Sequence, residues 1–335
     1  MVVAQYPATS GHTTVIDNLC NGLNKIGYEA AIGAFSFKSN PPNNIKKVIL
    51  SKKKLLTKGV SYLDYDIIHP HQSRVLYYLL TKNPNKPIVF HYHGASNQIQ
   101  EKNFSLAMKL YRNRINKILS VSKTGISQMQ KIIPNITADI LYNGVNTNTF
   151  NQNSSKLNKK GDPQLLFVSS LRTYKRANFL LEQMDKILKI FPNAYLQIVG
   201  DGDNYDKLKE MIKQKSFEKR VELPGKISQS ELPDWYSTCD VYVSASTFEV
   251  CPVPPLEAMA CGKPLVLFDI EPHREILERS NAGEIFSNDT DDDYVSKIKK
   301  VYENRKILGT KAHNFALTQD WSEIVKQLSE IYQDL

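Results

Sequence analysis

Short apolar runs alternate with longer amphipathic segments along most of the chain. In the first half, six runs rich in β-branched and aromatic residues have the length of buried strands. These runs lie at 2–6, 28–35, 66–69, 88–92, 118–121 and 139–142. Val15, Leu19 and Leu23 recur at the spacing of one helix face, and further helices are predicted at 74–81, 104–115 and 123–133. The alternation predicts an α/β fold, with a parallel sheet covered by helices.

A polar stretch at 146–163 separates this half from a second one of the same kind. It is rich in Asn, Ser and Lys and has little to bury, which is typical of a linker. The alternation then restarts, with strands predicted at 165–169, 195–199, 220–223, 241–245 and 264–268, and helices at 178–191, 205–213, 229–236 and 256–261.

We therefore predict two α/β domains, at 1–150 and 164–310, joined by a linker at 151–163. Residues 311–335 are expected to form a helical segment that packs back towards the N-terminal domain. Ligands of open parallel sheets bind outside the carboxyl ends of the strands, so the site is expected in a cleft between the domains.

Composition adds limits on the class of protein. The 335 residues are 41% apolar and 23% charged, as in folded globular proteins. No run approaches the ~18 apolar residues of a membrane-spanning helix, and the start of the chain lacks the basic leader of a secretion signal. The four cysteines show no metal-ligand spacing and are too few for a disulfide scaffold. These features predict a cytoplasmic protein.

The charge of the chain is divided unevenly. Residues 1–160 hold 21 Lys and Arg against 6 Asp and Glu, a balance of +15, whereas residues 161–335 hold 22 against 28, a balance of −6. Such a split indicates that the first half meets an anionic surface or substrate.

One segment of the second half has features that suit a phosphate and a sugar. Residues 246–262, Ser-Thr-Phe-Glu-Val-Cys-Pro-Val-Pro-Pro-Leu-Glu-Ala-Met-Ala-Cys-Gly, place Glu249 and Glu257 eight positions apart with three prolines between them. Because proline disfavours helix before it and is accepted in a first turn, Glu249 is expected on a loop and Glu257 near the start of a helix. A helix start suits phosphate, and a carboxylate accepts two hydrogen bonds from a diol such as ribose. Two glutamates at this spacing are, by themselves, also typical of surface or capping positions.

The segment resembles the Glu-x7-Glu signature of the retaining glycosyltransferase family four, and its flank at 256–266 (Leu-Glu-Ala-Met-Ala-Cys-Gly-Lys-Pro-Leu-Val) is similar to that family's wording. Other blocks of the family are matched in the same order. In the first half they are Ser10-Gly11-His12, Tyr92-His93-Gly94, Leu-Ser-Val-Ser at 119–122, and Leu-Tyr-Asn-Gly-Val at 141–145 with Phe150. In the second half they are Leu-Phe-Val-Ser-Ser-Leu-Arg-Thr-Tyr-Lys-Arg at 166–176, Ile-Val-Gly-Asp-Gly at 198–202 and Leu-Pro-Gly at 223–225.

The resemblance covers nearly the whole chain and implies a GT-B architecture, in which two Rossmann-like domains face each other across an interdomain cleft. It implies an enzyme of hexosyltransferase type, which moves a sugar from a nucleotide-sugar donor to a saccharide or lipid-linked acceptor with retention of configuration. Such an enzyme would act in glycan, polysaccharide or glycolipid biosynthesis.

The resemblance also implies roles for single residues. Lys175 would pair with the donor diphosphate and stabilise the departing nucleotide, Glu249 would face the transferred sugar, and Glu257 would hold the ribose hydroxyls. Gly11 would let the backbone of the N-terminal domain approach the diphosphate. His93 would lie near the reacting centre, with a buried structural histidine as the alternative. The other predicted donor-binding residues are Ser170, Arg172, Arg176, Gly200, Gly225 and Val253.

Two departures from the family pattern affect this site. The usual arginine five residues before the lysine is Ser170 here, so Arg172 or Arg176 would supply the second positive charge. The usual Glu-Gly-Phe-Gly is Glu-Val-Cys-Pro at 249–252, and Pro252 has no N–H to offer the sugar. A catalytically silent nucleotide-sugar-binding subunit is therefore an alternative, as is another GT-B enzyme such as a nucleotide-sugar epimerase.

Neither a metal nor another cofactor is expected. Asp201-Gly-Asp203 has the Asp-x-Asp form found in metal-dependent sugar transferases, but it falls in a turn after a strand, where it is expected to cap the next helix. Two basic side chains and a helix N-terminus can balance the roughly two negative charges of a diphosphate.

Basic and apolar residues are interleaved in two stretches of the first half. The first stretch holds Lys46, Lys47, Lys52, Lys53, Lys54, Leu55, Leu56 and Lys58. The second holds Lys102, Phe104, Leu106, Met108, Lys109, Leu110, Tyr111, Arg112, Arg114 and Lys117. This mixture suits an anionic bilayer, so we expect the protein either free in the cytoplasm or peripheral at the inner face of the membrane. Nucleic acid is not expected as a partner, because no recognised binding motif accompanies the charge.

Overall fold

The computed structural model describes residues 1–8, 12–153, 157–287 and 293–335. The chain divides into two compact units, Met1–Gly144 with Trp321–Leu335, and Val145–Asp320. The first boundary falls after Gly144 rather than at residue 150, and the chain rejoins the first unit at Trp321 rather than at residue 311. Gly11 and residues 154–156 of the predicted linker lie outside the described residues.

The first unit is built on parallel strands. They are β1 (Val2–Tyr6), β2 (Ala31–Phe37), β3 (Lys46–Ile49), β4 (Val89–Tyr92), β5 (Lys117–Ser120) and β6 (Asp139–Ile140). They form two three-stranded sheets, with the strand orders β1-β2-β3 and β4-β5-β6. The strand β3 was not predicted, because its first two residues are exposed lysines and its four residues show no alternation of apolar and polar positions.

The predicted strand at 66–69 is not a regular strand. Two isolated parallel bridges replace it, Val2 with Pro70 and Ile68 with Ile88. The segment nevertheless lies between β1 and β4, since Val2 N donates to His69 O at 2.8 Å and His91 N donates to Pro70 O at 2.9 Å. Pro70 has no N–H to donate, which interrupts the ladder at this position.

The described part of the first 144 residues contains five α-helices. They are α1 (His12–Lys25), α2 (Lys52–Lys58), α3 (Ser73–Leu79), α4 (Gln98–Tyr111) and α5 (Lys123–Ile132). The helix α2 was not predicted. The helix α4 begins six residues before the predicted start at 104, because Asn97 caps it by accepting a hydrogen bond from Gln100 N at 3.0 Å.

Several residues of the two predicted basic and apolar stretches are buried or paired in the structure, so they do not form an exposed surface. Leu55, Phe104 and Met108 are buried in the core of the first unit. Arg114 donates to Leu80 O, and Lys117 forms an ion pair with Asp139. The exposed apolar residues that remain beside lysines are a smaller set. They are Ile49, Leu56, Ile99, Leu106 and Leu110.

The second unit contains a six-stranded parallel sheet. Its strands are β7 (Gln164–Val168), β8 (Tyr195–Val199), β9 (Val221–Gly225), β10 (Val241–Ser244), β11 (Leu265–Phe268) and β12 (Gly283–Phe286). Their order is β12-β11-β10-β7-β8-β9, with β7 at the centre. Both faces of β7 are buried, Leu165 and Phe167 in one cluster and Leu166 and Val168 in another, as expected for a parallel sheet covered on both sides.

Helices cover both faces of this sheet. They are α6 (Ala177–Glu182), α7 (Met184–Ile190), α8 (Tyr205–Gln214), α9 (Leu232–Thr238), α10 (Val253–Ala260), α11 (Glu271–Ser280), α12 (Asp293–Glu303) and α13 (Arg305–Thr318). The single helix predicted at 178–191 is two helices that meet at Gln183. A last helix, α14 (Trp321–Gln333), belongs to the first unit, where it packs on α1.

Both units thus have the strand–helix alternation of a Rossmann-like domain. No helix within the described ranges has the length and apolarity that crossing a bilayer requires. In the second unit, the parallel order brings the carboxyl ends of β10, β7, β8 and β9 side by side at one edge. This edge positions the candidate site.

Candidate active site

Most of the predicted site residues of the second unit follow the carboxyl ends of four neighbouring strands. Ser170, Arg172 and Lys175 follow β7, Gly200 follows β8, Gly225 ends β9, and Glu249 follows β10. These residues are up to 79 positions apart in the chain, and the strand order alone brings their segments together.

Lys175 and Glu249 form an ion pair at this edge. The Lys175 Nζ contacts Glu249 Oε1, and the two side chains are only 13% and 15% exposed. The loops that carry them are also joined, because Thr247 donates to Tyr174 O from its backbone N at 2.9 Å and from its hydroxyl at 3.1 Å. A pair this sheltered is screened less by salt than a surface pair. The structure thus brings together two of the three predicted catalytic side chains.

Glu257 is a buried carboxylate on α10. It is 8% exposed and accepts a hydrogen bond from the Tyr236 hydroxyl at 2.7 Å. Burial raises the pKa of Glu257. Hydrogen bonds from Tyr236 and Gln229 favour the charged carboxylate and lower the pKa, but their effect is smaller than that of burial. The pKa of Tyr242 is raised by burial and then by the charges of Glu249 and Glu257, which both act on this phenol. The two glutamates of the Glu-x7-Glu segment therefore lie around the same buried tyrosine.

The start of α10 offers few backbone donors. Pro252 is its N-cap, and Pro254 and Pro255 occupy the first turn. Since proline has no N–H, Val253 supplies the one amide hydrogen of residues 252–255. The predicted role of Val253 thus depends on a single backbone donor at a helix N-terminus.

The two candidate arginines have different surroundings. Arg172 is exposed, as is Ser170. Arg176 has a left-handed φ of 52°, and its guanidinium carbon lies 4.7 Å from the ring centres of both Phe179 and Phe268. Burial lowers the pKa of Arg176. The two side chains therefore differ in their freedom to turn towards a ligand.

The turn after β8 requires glycine. Gly200 has a φ of +141°, and a Cβ at this position would lie 1.8 Å from Ser169 O. Its N–H donates to Gly225 O at 2.9 Å, so the loops after β7, β8 and β9 are in contact. No side chain larger than hydrogen fits between them.

The expectation that Asp201-Gly-Asp203 caps the next helix is wrong. The N-cap of α8 is Asn204, and no side chain makes a capping hydrogen bond there. Asp201 Oδ1 instead accepts a hydrogen bond from Gly202 N at 2.8 Å, inside the turn itself. A local bond of this kind competes with capping and fixes the turn.

His93, the third predicted catalytic residue, lies in the first unit among other histidines. His93 Nε2 is 2.8 Å from His71 Nδ1, and its ring centre is 4.6 Å from that of His12 and 4.5 Å from that of His91. Burial lowers the pKa of these imidazoles and of His69, to about 4 for His12 and about 3 for His91. The cluster was missed, although two His-x-His sequences, at 69–71 and 91–93, were a signal for it.

His273 is a second histidine that sequence reasoning missed. It is fully buried on α11, with Nδ1 2.8 Å from Phe268 O. Burial lowers its pKa, and the charges of Glu249 and Lys175 act on it in opposite directions. His273 therefore lies within electrostatic reach of the ion pair. No pattern in the sequence around it indicates this.

Comparison with known proteins identifies relatives over almost the full chain. An uncharacterized glycosyltransferase of Methanocaldococcus jannaschii is 25% identical over 98% of this chain and 96% of its own. The alpha-monoglucosyldiacylglycerol synthase of Acholeplasma laidlawii is 22% identical over 99% of this chain and 95% of its own.

Solved structures show the same fold. HepE of Anabaena, in a complex with UDP, superposes with a TM-score of 0.81 at 17% identity, over 100% of this chain and 99% of its own. A glycosyltransferase of Rickettsia africae gives a TM-score of 0.80 at 18% identity, over 99% of this chain and 97% of its own. The prediction of a GT-B fold with two Rossmann-like domains is confirmed.

Family descriptions match both halves. Residues 9–149 match glycosyltransferase family 4, and residues 149–317 match glycosyl transferases group 1. The predicted resemblance and enzyme class are confirmed, and the chain belongs to the glycosyl transferases group 1 family as a glycosyltransferase.

Proposed function

We propose that this glycosyltransferase moves a hexose from a nucleoside-diphosphate donor to a saccharide or lipid-linked acceptor, with retention of configuration. The observation that supports this most is the sheltered contact of Lys175 with Glu249 at the carboxyl edge of the second sheet. The HepE complexes with UDP and with UDP-glucose support a nucleotide-sugar donor, and the Acholeplasma synthase supports a lipid-linked acceptor.

The donor diphosphate would share Lys175 with Glu249. An ammonium with three donors can bond a phosphate oxygen and a carboxylate together, so Glu249 can turn towards the sugar hydroxyls without losing the lysine. The lysine then stabilises the charge that develops on the departing nucleotide.

The second positive charge is proposed to come from Arg172. It is exposed and follows β7, whereas the guanidinium of Arg176 packs between two aromatic rings. Together with Lys175 and the Val253 N–H, it would balance a diphosphate, so we propose that turnover needs no divalent cation in the donor site.

The first unit is proposed to bind the acceptor and to dock at an anionic membrane surface. The lysines Lys52, Lys53 and Lys54 are exposed on α2. The helix α4 exposes Leu106 and Leu110, which are 51% and 55% exposed and lie one turn apart on the same face. The helix α3 packs against both α2 and α4, and we propose that the exposed lysines and leucines form one surface.

The reaction is tested by turnover and by the configuration of the product. With UDP-, GDP- and dTDP-α-hexoses, we expect nucleotide release that an acceptor increases, and an equatorial anomeric proton retained from donor to product in an NMR time course. Inversion would contradict retention. Binding of nucleotide without turnover would favour the silent subunit, and a changed donor sugar without transfer would favour an epimerase.

Lys175→Ala is expected to lower kcat/KM by about 100- to 1,000-fold, because it removes the cation that stabilises the departing diphosphate. Steady-state kinetics with a saturating acceptor measure this effect. Lys219→Ala is the matched control, since Lys219 is an exposed lysine before β9, at the opposite end of the strands. Equal rates for the two variants would show that Lys175 is not in the donor site.

Glu257→Gln is expected to weaken donor binding about tenfold and to stabilise the fold at neutral pH. The amide oxygen still accepts the Tyr236 bond, but a neutral acceptor bonds the ribose less strongly than a charged one. Because burial raises the carboxyl pKa, the folded wild type keeps a proton that the unfolded chain loses as pH rises above the ordinary carboxyl pKa of 4.5, and its stability falls until the folded carboxyl has also lost its proton.

Calorimetric donor titration and thermal unfolding between pH 4.5 and 8 measure the two effects of Glu257→Gln. The gain in melting temperature of the variant over the wild type should grow with pH. Glu278→Gln, at an exposed position of α11, should change neither quantity. A variant that is less stable than the wild type at pH 8 would contradict the account of Glu257 as a costly buried charge.

The membrane surface is tested with vesicles of phosphatidylglycerol and phosphatidylcholine. Replacing Lys52, Lys53 and Lys54 by Gln should weaken binding at low salt by about 100-fold, at ~1 kcal/mol for each basic residue near the surface. Co-sedimentation measures the partition, and binding of the wild type should fall as salt rises.

The matched control removes three exposed lysines of α8 in the second unit, Lys207, Lys209 and Lys213. It changes the net charge equally and should leave vesicle binding unchanged. Equal losses in both triple variants would show that net charge, and not the surface of α2, determines the binding.

A further inference from the structure

Five of the seven histidines of the chain lie together in the first unit. Two pairs come from neighbouring extended segments, His69 with His71 and His91 with His93. Side chains two positions apart in an extended segment point to the same side, so four imidazoles lie on one face of the sheet. The fifth is His12 at the start of α1, whose ring centre lies 4.6 Å from that of His93 with the ring planes tilted by 40°.

Three of these histidines form a compact group. His69, His71 and His91 each offer one ring nitrogen, and these nitrogens all lie within 4.8 Å of one another. The three side chains are at most 2% exposed. Among the described residues, His69 Nε2 and both ring nitrogens of His91 make no hydrogen bond of ordinary geometry. Buried polar atoms without partners are costly, which indicates that a ligand completes the group.

Neutral imidazole binds a metal ion through the lone pair of one ring nitrogen, so each of the three side chains can supply one ligand atom.

We propose that His69, His71 and His91 bind one Zn²⁺ ion inside the first unit. Imidazole nitrogens suit Zn²⁺, and three protein ligands leave a fourth position. Tetrahedral Zn–N bonds of ~2.05 Å place two nitrogens about 3.4 Å apart, so the three rings need to close by at most about 1.5 Å.

Outer contacts already fix the orientation of two of the rings. His69 Nδ1 lies 2.5 Å from the Tyr332 hydroxyl of α14, and His71 Nδ1 lies 2.8 Å from His93 Nε2. With the Nδ1 proton donated to these partners, Nε2 of His69 has no partner among the described residues, whereas Nε2 of His71 lies 3.1 Å from Met1 Sδ, which the ion would displace. Metal-bound histidines usually donate their other N–H in this way.

The ion would hold parts of the first unit that are far apart in sequence. It would join the segment between β1 and β4 to β4 itself, and through Tyr332 to α14. Through His71, it would also fix Nε2 of His93 as a hydrogen-bond acceptor and so position this predicted catalytic residue. The ligands of this proposed site all belong to the first unit, and the binding of Zn²⁺ by them can be tested independently of the proposed reaction.

The test uses the full chain after treatment with a chelator, titrated with Zn²⁺ alone. We expect one Zn²⁺ per chain by elemental analysis. Loss of a residue that only holds a metal ligand in place typically weakens binding by roughly 10–100-fold. His91→Gln removes a ligand itself, so it should weaken Zn²⁺ binding, measured by calorimetry, by more than this. His313→Gln is the matched control, because His313 lies in the second unit and bonds Ala260 O. It should bind Zn²⁺ like the wild type.

Two further measurements keep the test decisive if His91→Gln does not fold, which circular dichroism reveals. Co²⁺ in place of Zn²⁺ should give the visible absorption of a tetrahedral site, and Tyr332→Phe should weaken binding about 10- to 100-fold by removing the partner of His69. No uptake by the wild type would overturn the proposal. So would uptake that neither His91→Gln nor Tyr332→Phe changes, since the ion would then bind elsewhere.

Discussion

The ion pair of Lys175 with Glu249 is the interaction on which the candidate site depends. Each side chain extends from a loop that leaves a different strand, and a second link between the loops, from Thr247 to Tyr174, holds them together. In a sheltered position, either charge alone would be costly. A ligand that enters this edge must therefore satisfy both charges at once, which a diphosphate joined to a hydroxylated sugar can do.

Much of this arrangement could be predicted from the sequence, because it follows from local rules. The prolines placed Glu249 on a loop and Glu257 near the start of the helix that follows, as observed. Contacts between residues that are distant in the chain could not be predicted. The Tyr236 hydroxyl is 21 positions from Glu257, and no spacing indicates that this bond exists.

The same limit explains the errors in the first unit. Phe104 and Met108 were assigned to an exposed surface, because their interleaving with lysines resembles an amphipathic membrane helix. The helix in fact begins at Gln98, and its register turns both residues into the core. The histidine cluster shows the opposite case, since its two His-x-His pairs are plain in the sequence. Only the bridges around Pro70 show that the two extended segments are neighbours.

The departures from the family pattern have a common physical consequence. Ser170 removes one cation, and Pro252, Pro254 and Pro255 remove backbone donors from the start of α10. A site with fewer fixed donors has to obtain its positive potential from side chains, so the proposed contribution of Lys175 to donor binding would be larger than in a site with an arginine and a full helix N-terminus. Glu249 holds that lysine in place while shielding its charge. The same carboxylate therefore keeps the lysine ordered and weakens its attraction to simple anions. A diphosphate that carries a sugar would be favoured over them, because the sugar hydroxyls can bond Glu249.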